Sequence, residues 1–268
     1  MRSSSWTLST VAALALASTV GAAEVRVVED DAWCRQDGWN DRPRYCEVRE
    51  ATLPAGSLLT VDSRPNGGIQ VQGGDGNAVR LRVKIVANAA SEAEARDVVG
   101  EVRLELGDTV RAVRPGRSDA RSWSASYRLE VPRGSRLKLQ ADNGGLSLDR
   151  FDGQAELHTV NGGLHLDQVG GHVQGETVNG GIHVVLSGTQ WQGEGLDLHT
   201  TNGGLDLAIP AGYNARLETG TVNGGVRSDV PLTKRGRYTG GHIETELGSG
   251  GPLIRVETTN GGLRVQRR

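Results

Sequence analysis

TVNGGLHLDQVGGHVQGETVNGGIHV, residues 159–184, carries one unit twice: Thr-x-Asn-Gly-Gly, then an aliphatic residue, a polar residue and a second aliphatic. Its asparagines, Asn161 and Asn179, are 18 residues apart. Working outward, the pair Asn-Gly recurs at Asn143-Gly144, Asn202-Gly203, Asn223-Gly224 and Asn260-Gly261, with successive gaps of 18, 18, 23, 21 and 37. The last gap is about two periods, and Thr239-Gly240-Gly241 reads as the missing turn inside it. A fixed internal period decides fold class before local propensity does. Asp152-Gly153 and Gly170-Gly171 mark a half-period, so each unit holds two short strands and two tight turns. Glycine at such turns is expected to supply a positive φ. Parity agrees with a two-strand unit: Leu157 and Thr159 share a face before the turn, Leu164 and Leu166 share one after it, and His158 and His165 fall on the other.

Two all-β architectures fit. In a β-solenoid, like a parallel β-helix, each coil of about 18 residues stacks on the last. Equivalent residues then lie about 4.8 Å apart and form ladders of like side chains. In an antiparallel meander or sandwich, the same units pair as hairpins. The repeated identity of the turn residues favours the solenoid, because a meander gives no reason for Asn at alternate turns only. Seven coils over 143–268 would make a rod about 34 Å long.

The rest of the chain is organised around this array. Residues 131–268 form the repeat region and 24–130 a β-rich front. Within the front, Val79–Val86 alternates strictly, as a half-buried strand does. Ser91 with Glu94 makes a capping box that starts one short helix over 91–99, ended at Gly100. Val102–Leu106 and Thr109–Val113 form a hairpin, and Trp123–Val131 is a strand stopped at Pro132.

The first 23 residues read as a secretory signal: Arg2, an apolar run over Val11–Val20, and small residues at Gly21-Ala22-Ala23. Ten apolar residues are too few to span a bilayer, and no later segment reads as a spanning helix, so an exported chain is expected, in the periplasm or at the cell surface. Cys34 and Cys46, the only cysteines, are then expected to pair in an oxidising compartment. Composition bounds the core and the partners. Gly is 39 of 268 residues and aromatics are 4%, so the core is thin and aliphatic. Net charge −2 excludes a chain-wide basic surface for nucleic acid.

The T-x-N-G-G-(L/I)-x-(L/V) units resemble those of the bacterial DUF4097 family, adhesin-like β-strand-repeat proteins. LEVPRGSRLKLQADNGGLSL (129–148), AIPAGYNARLETGTVNGGV (208–226) and GSGGPLIRVETTNGGLRV (248–265) are similar to that family, and LPAGSLLTVDSRPNGGIQV (53–71) is a fainter match. The resemblance implies an exported or envelope-associated β-repeat protein with no catalytic residue to transfer.

No G-x-S-x-G elbow, H-E-x-x-H or P-loop is present, and no cofactor is expected. In a solenoid the position three before each Asn would form one outward ladder, including His158, Glu176 and His199; the position four after would form another, including His165, His183 and Asp206. His and carboxylate at rung spacing are a candidate zinc set; a solvated face with cross-ladder pairs such as Glu176 with His183, His199 with Asp206 and Glu257 with Arg264 is the alternative. Trp33, Trp39 and Tyr45 beside the cysteines could stack on sugar rings, or pack as a small satellite core. These readings favour a non-enzymatic envelope protein whose partner is an envelope protein, a glycan or a second copy. The competing reading is a polysaccharide-binding or polysaccharide-active β-helix protein, and activity would need paired carboxylates on one face.

Overall fold

The computed structural model describes residues 23–28, 32–35, 43–56, 58–115, 123–232, 234–235 and 241–268; the expected signal segment and Trp39 lie outside them. Each T-x-N-G-G unit contributes one strand on either side of its turn. The strand before it joins one sheet and the strand after it joins another, as with Gln154–Thr159 and Leu164–Asp167 around Asn161. Among the described residues each of the two sheets has eleven strands. Inward residues such as Leu157, Leu164 and Leu166 are buried between the sheets, while Glu156 and His165 outside them are exposed. A fully buried leucine stabilises by roughly 1.5–3 kcal/mol, so these alternating positions hold each pair of strands in register.

Neighbouring units pair in parallel and in phase. Leu146, Leu164, Ile182, Leu205 and Leu263 are successive partners in the first sheet. Leu139, Leu157, Gly175, Leu198 and Val256 are successive partners in the second. The antiparallel alternative therefore does not describe the repeats. Antiparallel pairing is confined to the two ends. At the front, Arg44–Pro54, Ala78–Asn88 and Trp123–Pro132 pair antiparallel. At the far end, His242–Leu247 runs antiparallel to Ala215–Asn223.

Spatial order departs from chain order twice. Strands Leu59–Asp62 and Ile69–Gly74 lie between Thr109–Val113/Trp123–Pro132 and Arg136–Ala141/Leu146–Asp149. Strands Leu253–Asn260 and Leu263–Arg267 lie between the Asn202 unit and the Asn223 unit, which precede them in sequence. The expectation of coils stacked in chain order is corrected accordingly; Thr239 and Gly240, of the further turn expected there, lie outside the described residues. His242–Leu247 pairs antiparallel with Ala215–Asn223 instead of adding a parallel rung. Both sheets cross residue 130 without a break, and one core runs through front and repeats.

Two further expectations change. The helix runs Glu92–Glu101, past Gly100. Ser91 accepts from the Glu94 N–H at its start, and the Arg49 guanidinium donates to the Val99 and Val102 carbonyls at its end. That cap replaces the stop a glycine would have supplied. A second, four-residue helix, Ala32–Arg35, carries Trp33 and Cys34. Cys34 and Cys46 are disulfide-bonded, with Cα atoms 5.8 Å apart, tying that helix to the Arg44–Pro54 strand.

Candidate functional site

The turn row explains its own sequence. Each asparagine side chain donates to the carbonyl of the asparagine on the adjacent rung. The run is Asn143 to Asn66 (3.1 Å), Asn161 to Asn143 (2.9 Å), Asn179 to Asn161 (2.9 Å), Asn202 to Asn179 (3.0 Å), Asn260 to Asn202 (2.9 Å) and Asn223 to Asn260 (2.8 Å). Each such bond contributes about 1 kcal/mol. The preceding threonine is buried, and its hydroxyl donates to the first glycine carbonyl of the adjoining rung: Thr159 to Gly144 (2.8 Å), Thr177 to Gly162 (2.7 Å), Thr200 to Gly180 (2.7 Å).

The first glycine of the motif is required by its neighbour, not by its φ, which corrects the expectation. A Cβ on Gly162 would stand 2.1 Å from the Gly144 oxygen, and one on Gly180 would stand 2.0 Å from the Gly162 oxygen. In this row Gly67 alone among the described Asn-Gly-Gly glycines has positive φ, at +146°; the opposite turn row has it at Arg150, Gln168 and Gly171. That row is apolar inside: Phe151, Val169, Trp191 and Tyr213 are buried there.

Asn66 is the member of the ladder that sequence reasoning did not place. Its unit reads Ser63-Arg64-Pro65-Asn66-Gly67-Gly68, one residue longer than Thr-x-Asn-Gly-Gly. Ser63 stands near the threonine position, but its hydroxyl donates to the Gly67 carbonyl of its own turn at 2.8 Å, where the threonines reach across to the adjoining rung. A search that allowed Ser for Thr and one inserted residue would have found it.

The outward positions fall on two opposite faces. On one sheet His158, Glu176, His199 and Glu257 are successive partners. On the other, Gln70, Ser147, His165, His183, Asp206, Arg264 and Arg227 are successive partners. The core separates the rows, so they do not merge into one cluster, and the expected pairs Glu176 with His183, His199 with Asp206 and Glu257 with Arg264 are not formed. Glu257 meets His242 instead, at 3.2 Å. His158, Glu176 and His199 do occupy adjacent rungs, but among the described residues no three His, Cys, Asp or Glu side chains are placed to hold a metal ion.

The faces differ in charge. The His158 face is neutralised across rungs: Lys138 pairs with Glu156 at 2.8 Å, and Arg255 bridges Glu218 at 2.7 Å and Asp197 at 3.2 Å. The carboxylates beside Arg255 hold its guanidinium above its ordinary pKa, Glu218 foremost through its hydrogen bond. On the opposite face, His165 and His183 stack with ring centres 4.8 Å apart and planes 7° apart. Arg264 and Arg227 beyond them are exposed and make no ion pair among the described residues.

That second face carries a trough of about 1210 Å³. Its floor is the second glycine of every unit: Gly68, Gly145, Gly163, Gly181, Gly204, Gly262 and Gly225. One wall is the Ser147–Arg227 row, and one end is closed by Lys84 and Trp33. Trp33 is buried, with the Arg128 guanidinium 4.0 Å from its ring centre and the Lys84 ammonium at 5.1 Å, so its ring is covered by cations, not open to a sugar. Tyr45 lies under Arg96 at 4.7 Å.

No family model matches the chain, and no curated protein matches it, so the family resemblance rests on the repeat units alone. Among solved structures, a candidate cell adhesion protein from Clostridium sporogenes ATCC 15579 aligns at 12% identity with a TM-score of 0.44, over 84% of this chain and 100% of that one. A candidate adhesin from Bacteroides fragilis NCTC 9343 aligns at 10% identity and TM-score 0.34, over 84% and 97%. A candidate lipid-binding protein from Parabacteroides distasonis ATCC 8503 aligns at 11% identity and TM-score 0.31, over 83% and 96%. Likeness at this level carries no weight in the functional reading below. No helix among the described residues is long and apolar enough to cross a membrane.

Proposed function

We propose that the chain is a non-enzymatic, exported envelope protein that binds a partner, adhesin-like, through the rigid surface of a β-solenoid. The observation that supports this reading is the register. Seven asparagines hydrogen-bond in one unbroken ladder, and the rows beside them repeat at rung spacing. A surface fixed in this way presents many copies of one polar position at about 4.8 Å intervals, which suits a repetitive ligand. The disulfide supports an oxidising compartment for the folded chain. Within 24–130 the Asn66 unit supplies one rung and the remainder is proposed to close one end of this stack, with 131–268 supplying the other rungs.

The test is co-sedimentation of the chain from residue 24 onward with isolated cell envelopes, over a range of protein concentrations. Saturable retention in the pellet is expected. Recovery of the protein wholly in the supernatant at every concentration would overturn the reading.

A further inference from the structure

We infer that the glycine-floored trough binds a linear anionic polysaccharide, laid along the rungs from Lys84 to Arg227. The inference rests on the binding role proposed above and names its site and its ligand class.

The trough exists because one outward column has no side chains. The floor residues have outward parity, two positions before the Ser147–Arg227 row, so any other residue type there would project into the space. Seven glycines in line leave a flat strip of backbone six rung intervals long, or about 29 Å at rung spacing. Stacking does not demand glycine at every one of them. A Cβ on Gly204 would come no nearer than 3.7 Å to another heavy atom, one on Gly262 no nearer than 3.8 Å, and one on Gly225 would meet nothing within 4 Å. The first glycines of the same turns, by contrast, have no room at all. At Gly204, Gly262 and Gly225 the emptiness is therefore a property of the surface and not a packing requirement.

The wall supplies the chemistry. Ser147, His165, His183 and Asp206 offer hydroxyl, imidazole and carboxylate groups on consecutive rungs, the mixed donors and acceptors that sugar hydroxyls need. The rung spacing is close to the length of one sugar in an extended chain. Arg264 and Arg227 add two cations without ion-pair partners among the described residues, against the single carboxylate of Asp206 in the trough lining. Arginine is suited to bidentate contact with a carboxylate. An extended peptide is disfavoured as occupant, because the floor strands already spend their backbone groups on each other within the sheet. A single-stranded nucleic acid would need open aromatic faces to stack on, and the one aromatic ring at the end of the trough that could serve, Trp33, is covered by Arg128 and Lys84.

The experiment is affinity electrophoresis of the chain from residue 24 onward in gels containing polygalacturonate, with fully methyl-esterified polygalacturonate as the uncharged counterpart. Three proteins are compared: wild type, an Arg227→Ala, Arg264→Ala variant, and a Gly204→Val, Gly262→Val variant that fills the trough where the backbone has room. Wild type is expected to be retarded by the charged polymer and at least tenfold less by the ester. Both variants are expected to lose tenfold or more in affinity for the charged polymer, with unchanged thermal unfolding. Equal retardation of wild type and both variants, or of wild type by both polymers, overturns the inference. So does equal affinity for single-stranded DNA. Retention by whole envelopes with no retardation by either polymer overturns this inference alone; absence of both overturns the binding role as well.

Discussion

The stacked rungs and the antiparallel front strands are built from similar aliphatic residues, yet they obey different rules. In Arg44–Pro54, Ala78–Asn88 and Trp123–Pro132, order comes from alternation: Val79, Leu81, Val83 and Ile85 are buried along one strand, and no one side chain depends on an identical neighbour. In the rungs, what sits at one turn is set by the backbone of the next. Gly162 faces the Gly144 oxygen, Thr177 donates to the Gly162 carbonyl, and Asn179 donates to Asn161. The front is a packing problem and the stack is a copying problem. A change in the front should stay local, whereas a change at the turn row should be felt by the rungs on both sides.

The largest effect that would break this contrast is a single methyl group. Gly162→Ala sets a Cβ 2.1 Å from a backbone oxygen, and is expected to cost more than about 4 kcal/mol in denaturant unfolding. Gly100→Ala, with nothing within 4 Å and a helical backbone, is expected to stabilise by about 0.5–1 kcal/mol. Similar costs at the two sites would show that the turn row has no special intolerance.

Next in size is the disulfide. Replacing Cys34 and Cys46 with serine opens a short loop and is expected to cost about 3 kcal/mol. The comparison is sharpened by hydrogen exchange: protection should fall in Ala32–Arg35 and Arg44–Pro54 and hold in Leu164–Asp167. Loss spread evenly over both would mean the stack leans on the front for its order.

Thr177→Val keeps the shape and removes one hydroxyl, leaving the Gly162 carbonyl without its cross-rung donor. The expected cost is about 1–2 kcal/mol by thermal unfolding. A neutral result would reduce the threonine to a filler.

The smallest effect is absent at neutral pH. Burial raises the phenol of Tyr213, among the rungs, to about 12, and raises that of Tyr127, in the front, as well, against the Ala112 N–H it accepts at 2.7 Å. The folded state then holds both protons above the unfolded value of about 10, so stability is complete below that pH and falls as pH rises toward 12. Tyr213→Phe and Tyr127→Phe should each flatten this alkaline limb in a pH series of unfolding midpoints. A limb that only one of them flattens would assign alkaline sensitivity to that half of the molecule.

How far the sequence foretold this is clearest at individual residues. Asn143, Asn161 and Asn179 were expected on neighbouring rungs, and they hydrogen-bond there, because a repeated Asn has few other uses at a turn. The outward row through Ser147, His165, His183 and Asp206 followed from parity alone. Arg264 was not placed next to Asp206, because nothing local says that the Asn260 unit enters beside Asn202. The trough was not legible either. In a linear reading the second glycine is turn filler, and its emptiness becomes a feature only when seven of them fall in line. The opposite faces of His158 and His165 were likewise hidden, since a shared turn makes residues look adjacent when a core lies between them.

The rung made by Leu253–Asn260 and Leu263–Arg267 is a keystone that arrives late. A ribosome or a translocation channel releases the strands of the Asn202 and Asn223 units first, and although the Asn202 unit can already pair with the Asn179 unit, its other edge and the facing edge of the Asn223 unit stay unpaired until the later segment is delivered. Construction of this molecule therefore cannot proceed as simple winding from one end. Two waiting edges must stay open, and unclaimed by other chains, for as long as it takes some thirty further residues to appear.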